Sequence, residues 1–192
     1  MVNDLTDEQL VKLTLQDQKY YRYLVERYEE KLKRYIFRII GVNPEDSQDI
    51  LQEVFLKAYI NLNDFDMSLK FSSWIYRITH NEAVSYLRRN KNKFQVINFE
   101  IDKNLIETAW ADLDIKKELD EKYFLENVQK IIKDFKNKDY QDVLVLRYIE
   151  DKDYQEISDI LKKPLGTVST LLSRAKKQLK SALIKNNKLE LS

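Results

Sequence analysis

Arg174 and Lys177 stand in a run of small hydroxyl residues, Thr167, Ser169, Thr170 and Ser173, late in a chain of 192 residues. Arginine reads guanine edges with two parallel hydrogen bonds, hydroxyls reach bases or phosphates, and lysine neutralises phosphate. Between these residues Val168, Leu172, Ala175 and Leu179 recur at three and four residues, the spacing of a helix packed along one side. Together they have the chemistry of a helix that lies in a DNA major groove. The preceding residues read as a shorter helix. Asp153 and Glu156 have the spacing of a capping box, and Tyr154, Ile157, Ile160 and Leu161 form its inward face. Lys162-Lys163-Pro164 breaks that helix, so Asp153–Lys180 is a helix-turn-helix candidate. The plain alternative is a helical hairpin with a solvated basic face. The absence of any acid between Asp159 and Glu190 weighs against it.

The rest of the chain is polarised in charge, although its net charge is only +1. From Glu45 to Asp66 stand Glu45, Asp46, Asp49, Glu53, Asp64 and Asp66, with Lys57 as the one base. From Lys70 to Lys93 stand Lys70, Arg77, Arg88, Arg89, Lys91 and Lys93, with Glu82 as the one acid. From Lys162 to Lys188 there are bases and no acid. A near-neutral total therefore conceals two basic patches and an acidic one.

Composition excludes several classes. No cysteine is present, so there is no disulfide and no thiolate metal site, and His80 is the single histidine. No metal and no cofactor are expected, and no set of residues resembles a catalytic site. No apolar run has the length of a membrane span. The polar, acidic start of the chain is unlike a secretory signal, so a soluble cytoplasmic protein is expected.

With two glycines and two prolines the chain should be mostly helical. The expected fold is all-α: two small helical domains joined by an acidic linker, the second domain carrying the helix-turn-helix. Thr6 and Gln9 have capping-box spacing for a first short helix. A longer helix is expected from about Gln18 to Ile40, closed by Gly41, and the next from Asn43-Pro44 to about Leu62. Asn63–Lys70 is a polar break. A fourth helix runs from about Phe71 to Asn90, with Trp74, Ile75, Ile78, Ala83, Val84 and Leu87 as its apolar stripe. Phe71 and Trp74 offer aromatic faces, but their spacing favours the core over stacking on bases. Periodicity fades after Gln95, where acids dominate, and resumes around Lys117–Phe135 and Tyr140–Ile149. The domains are therefore 1–94, a linker at 95–116, and 117–192.

These residues resemble the RNA polymerase sigma factors of the sigma-70 family, and within it the two-domain extracytoplasmic-function class. DSQDILQEVFLKAY (Asp46–Tyr59) is similar to the family's polymerase-binding helix, with Asp49, Gln52, Glu53 and Phe55 on a D-x-x-Q-E-x-F pattern. FSSWIYRITHNEAVSYLRR (Phe71–Arg89) resembles its promoter minus-ten segment, and Val143–Leu179 its minus-thirty-five-binding domain. The resemblance implies that the protein binds core RNA polymerase and directs promoter-specific initiation without catalysis of its own. It implies minus-ten DNA contacts from Arg77, Asn81, Ser85, Arg88 and Arg89. The preceding loop, with Asn63, Asp64 and Lys70, would capture an extruded non-template base. Thr167, Ser169, Thr170, Ser173, Arg174 and Lys177 would meet the minus-thirty-five duplex. Partners implied are core polymerase, duplex and single-stranded promoter DNA and an anti-sigma factor, with no membrane insertion.

The sequence departs from the family pattern at the turn, where Lys162 and Lys163 replace the usual Gly-Ile. A residue with a Cβ at positive φ costs about 1 kcal/mol. Ser169 and Leu171 stand where bases are usual, and Ser85 where an acid is usual. Two other classes fit the residues less fully. A stand-alone helix-turn-helix regulator would bind duplex DNA tightly without polymerase. A helical adaptor binding only proteins would be indifferent to loss of Arg174 and Lys177.

Overall fold

The computed structural model describes residues 2–90, 127–128, 130–132 and 134–190. The expected linker and the start of the second domain's first helix lie outside these residues. All regular structure among the described residues is helical. They divide into two compact units, the first carrying residues 2–90 and the second most of the residues from 127 onward.

The first unit contains α1 (Asp7–Gln16), α2 (Tyr21–Ile40), α3 (Pro44–Ile60) and α4 (Phe71–Arg89). Thr6 opens α1 with the expected capping box: its backbone N–H donates to Gln9 Oε1 at 2.8 Å, and its Oγ1 accepts from the Gln9 N–H at 3.2 Å. A short 3-10 turn, Gln18–Tyr20, precedes α2 and takes the place of the expected first helical residues. α2 ends at Gly41, whose φ of 58° is left-handed and whose N–H reaches the Phe37 carbonyl. Asn43 then caps α3 by accepting from the Asp46 N–H at 2.7 Å, and Pro44 takes the first helical position, where no donor is needed.

α2 packs on α3 and α4, α3 packs on α4, and α1 lies across α2. The core is built from Leu10, Leu24, Leu32, Ile36, Leu51, Val54, Ala58 and Ile75. Each large apolar side chain buried in this way contributes roughly 1.5–3 kcal/mol. The segment between α3 and α4 is not wholly polar. It begins with a 3-10 turn, Leu62–Asp64, and buries Leu62 and Phe65. The rings of Phe65, Phe71 and Trp74 pack against one another, edge-on or tilted, with centroids 5.3 to 5.7 Å apart. The expected stripe of α4 needs correction at Val84, which is exposed. Ile78 and Leu87 are only half-buried, while Phe71, Tyr76 and Thr79 join the core.

In the second unit residues 127–128 and 130–132 are helical, with Val128, Ile131 and Ile132 buried. There follow α5 (Lys138–Tyr148), α6 (Tyr154–Leu161) and α7 (Leu165–Glu190). Asn137 caps α5 by accepting from the Asp139 N–H at 3.0 Å. Val143, Leu144, Val145 and Leu146 are all buried, so α5 is a central helix wrapped on every side. The buried Asp142 is matched by Lys138 at 2.8 Å, one turn earlier. α5 packs along α7.

Candidate nucleic-acid interface

The helix-turn-helix is held by its own sequence. The Asp153 N–H donates to Glu156 Oε2 at 2.9 Å, and the Glu156 N–H donates to Asp153 Oδ1 at 2.7 Å. This reciprocal box starts α6, in which Ile157 and Ile160 are buried. The turn then bends at Lys162, whose φ of 53° is left-handed. Ser158 Oγ donates to the Lys163 carbonyl at 2.6 Å, and the Lys163 N–H returns to the Ser158 carbonyl at 3.2 Å. Lys163 Nζ also pairs with Asp139 at 3.2 Å, so this lysine serves the turn. The Pro164 carbonyl accepts from the N–H groups of Thr167 and Val168 and begins α7.

Along α7, Val168, Leu172, Ala175 and Leu179 are at most 1% exposed. Thr167, Ser169, Thr170, Ser173, Arg174 and Lys177 are all exposed. Thr170, Ser173, Arg174 and Lys177 form one stripe, with Thr167 and Ser169 on its two flanks. Thr170 Oγ1 donates to the Gly166 carbonyl at 2.8 Å, which leaves its lone pairs as its outward chemistry.

In the first unit Arg77, Asn81, Ser85 and Arg88 share one face of α4, joined by the exposed Val84. Arg89, about a quarter of a turn on from Arg88, lies at the edge of this face beyond Ser85. It lines a cleft between α3 and α4 with Asp49, Ile50, Glu53, Glu82 and Tyr86. Asn63, Asp64 and Lys70 are exposed on the segment that leads into α4. This segment is ordered by its own bonds: Asp66 Oδ1 accepts from the Ser68 N–H at 2.9 Å, and the Asp66 carbonyl from the Leu69 N–H. Those bonds from Ser68 hold the Asp66 carboxyl below its ordinary pKa. Met67 is exposed within the same segment. Phe71 and Trp74 are 1% and 7% exposed and form the floor beneath it, so neither is a stacking platform. His80 is half-buried, its Nδ1 3.0 Å from the Tyr35 hydroxyl.

On α3 the side chains of Asp49, Gln52 and Glu53 are exposed on one face. Phe55 is half-buried on a different side, and its carbonyl accepts from the Tyr21 hydroxyl at 2.6 Å. The acidic face is continued by Leu56 and Ile60, which are 52% and 63% exposed. Their sequence signal is register: they fall seven and eleven residues after Asp49, where the core requires nothing apolar. Among the described residues no cluster of His, Cys, Asp or Glu can hold a metal ion.

Comparison with known proteins follows the same division. Residues 24–93 match the sequence model of Sigma-70 region 2, and residues 137–179 that of Sigma-70, region 4. The ECF RNA polymerase sigma factor SigW of Bacillus subtilis is 32% identical over 180 residues, covering 87% of this chain and 90% of that protein. The ECF RNA polymerase sigma-E factor of Escherichia coli K12 is 31% identical over 189 residues, covering 93% and 95%. Among solved structures, CnrH in complex with the cytosolic domain of CnrY superposes with a TM-score of 0.64 at 22% identity, covering 94% of this chain and 97% of that one. The sigma factor RpoE in complex with the anti-sigma factor NepR, from Bartonella quintana, gives 0.62 at 17% identity, covering 86% and 97%. At these identities the two structures speak for the fold alone.

Proposed function

The chain belongs to the sigma-70 family of RNA polymerase sigma factors, in its ECF class, and from that membership we propose how its surfaces divide the work of initiation. The protein binds core RNA polymerase and directs transcription initiation at promoters. We assign core binding to the exposed face of α3, with Asp49, Gln52 and Glu53 meeting basic partner residues and Leu56 and Ile60 supplying apolar contact beside them. Phe55 supports that helix from its half-buried side. We assign minus-ten contact to Arg77, Asn81, Ser85 and Arg88 on α4, with Arg89 at the border between DNA and polymerase. Residues 63–70 form the loop that captures a melted non-template base, with Asn63 and Asp64 as polar readers and Lys70 as charge. Duplex DNA upstream falls to α7, where Arg174 reads a base edge, Lys177 neutralises phosphate, and Thr167, Ser169, Thr170 and Ser173 fix the register.

The observation that supports this reading most is the two-sidedness of α7. Val168, Leu172, Ala175 and Leu179 on its inward side are at most 1% exposed, while every DNA-facing residue assigned to it is exposed. The helix is held rigidly from behind and offers hydroxyl and basic groups in front. The reading includes no catalysis by this chain, residence in the cytoplasm, domain bounds near 94 and 117, and an anti-sigma factor as a further partner. No described helix is long and apolar enough to cross a membrane.

Binding to promoter-bearing DNA with and without core enzyme tests it. The protein alone should shift such duplexes weakly, and the protein with core should shift them tightly and selectively. Tight selective binding in the absence of core would assign it instead to stand-alone regulators.

A further inference from the structure

We propose that Glu8 is a positioning residue for capture of the melted strand, acting from α1 by capping the helix into which the loop runs. This rests on residues 63–70 being the capturing loop. α4 begins at Phe71, and the residue before it, Lys70, makes no side-chain cap bond to the helix. Phe71 is 1% exposed, so its amide cannot turn to water for a partner. The partner comes from 63 residues earlier: the Phe71 N–H donates to Glu8 Oε1 at 3.1 Å. A carboxylate at this point also faces the positive end of the α4 dipole.

Glu8 is itself held in place. It lies in the first turn of α1, which the Thr6–Gln9 box closes. Its neighbour Asp7 accepts from the Tyr28 hydroxyl and pairs with Arg27 at 2.6 Å, which pins α1 to α2. Phe71 meets the rings of Tyr28 and Phe65 edge-on at 5.5 and 5.7 Å. Phe65 is the buried anchor inside the loop. α1 packs against α4 and also against the 3-10 turn Leu62–Asp64 that opens the loop. One short helix thus touches both ends of the loop, and it lies before the residues 24–93 that match region 2. The acidic face of α3 has no part in these contacts.

The experiment uses the full chain with core enzyme. The probe is a fluorescent pool of single-stranded DNA with randomised positions. Affinity is read by titration, and base preference by sequencing the bound fraction. Core affinity and melting temperature are measured in parallel, with comparisons made below the melting point of every variant. Glu8→Ala should weaken pool binding about fivefold and blur the base preference, with core affinity unchanged. Glu8→Gln keeps an oxygen acceptor for the Phe71 amide and should restore most of the binding. Glu8→Asp, one methylene shorter, should not. If Glu8→Ala fails to fold, the contrast between Gln and Asp decides the matter. Asn63→Ala with Lys70→Ala tests the loop itself. Loss in that double variant with none at Glu8 overturns the proposal and leaves the loop intact. No loss in either overturns both. Equal loss of core and strand binding, without rescue by Gln, shows a merely structural Glu8 and also overturns it.

Discussion

Lys57 on α3 and Glu82 on α4 are paired, Nζ to Oε1 at 2.6 Å. Lys57 is the one base between Glu45 and Asp66, and Glu82 is the one acid between Lys70 and Lys93. Each helix thereby hands its discordant charge to the other. What remains outward is acid on α3 and base on α4, which is the separation that a polymerase-facing helix beside a DNA-facing helix requires.

Glu82→Gln releases Lys57 on the acidic face. Lys57 is 45% exposed and Glu82 only 14%, so the half-buried pair should be worth about 1 kcal/mol of stability. Core binding should weaken severalfold at low salt, and the difference should shrink as salt is raised, because exposed charges are screened. Titration of labelled protein with core at two ionic strengths checks this. Equal affinities at low salt would show that the pair does not shape the surface.

Lys162 holds a left-handed φ of 53° where its Cβ is disfavoured. Lys162→Gly should stabilise the protein by roughly 0.5–1 kcal/mol, since glycine relieves the strain but adds unfolded-state freedom. Lys162→Ala should be close to neutral. Denaturant unfolding distinguishes them, and a Gly variant less stable than wild type would show that the lysine side chain outweighs the strain.

Much of this arrangement was legible locally. Thr6 with Gln9, Asp153 with Glu156, and Asn43 before Pro44 are caps that depend on three or four adjacent residues, and each forms as its spacing implies. The buried stripe of α7 follows from helical period alone. Val84 is apolar but out of register with the core: it lies exposed on the face of Arg77 and Arg88. Phe65 was hidden among polar neighbours, and α5 has no stripe because it is buried all round. The bonds from Glu8 to Phe71 and from Lys57 to Glu82 join residues far apart in the chain. No local pattern encodes them, since they arise only when helices pack. Arg89 illustrates the same limit: motif spacing grouped it with Arg88, but one residue of helical rotation carries it to the cleft beside Asp49 and Glu53.

Alkaline pH should expose the buried phenols. Burial pushes the Tyr28 hydroxyl well above its ordinary pKa, with Asp7 adding to the effect, and burial does the same to Tyr21 with Tyr59 contributing. The folded protein therefore keeps protons that the unfolded chain releases above about pH 10. The stabilising contribution is whole below that pH and is lost as pH rises toward the raised folded values. Tyr28→Phe should make the fall in melting temperature between pH 9 and about 11.5 shallower. At pH 7 it should cost about 1–2 kcal/mol through the lost bond to Asp7. A slope identical to wild type would contradict burial of the phenol.

Arg174→Ala and Lys177→Ala act differently if one reads a base and the other meets phosphate. With core present, Lys177→Ala should weaken binding to all promoter duplexes alike and make the salt slope shallower by about 0.9. Arg174→Ala should cost about 1–3 kcal/mol and relax preference at one upstream position. Competition binding over a set of upstream sequences, repeated across salt concentrations, checks both. Identical effects from the two changes would place both residues on phosphate.

The most direct test is transcription from a library of genomic fragments by cognate core enzyme, with and without the protein, read by sequencing transcript starts. The wild-type protein should produce starts at a defined set of sites sharing two upstream elements. Asp49→Arg with Glu53→Arg should abolish them by preventing association with core, and Arg174→Ala should thin the set without removing it. An unchanged start profile on adding the wild-type protein, or full activity from the α3 variant, would contradict the account.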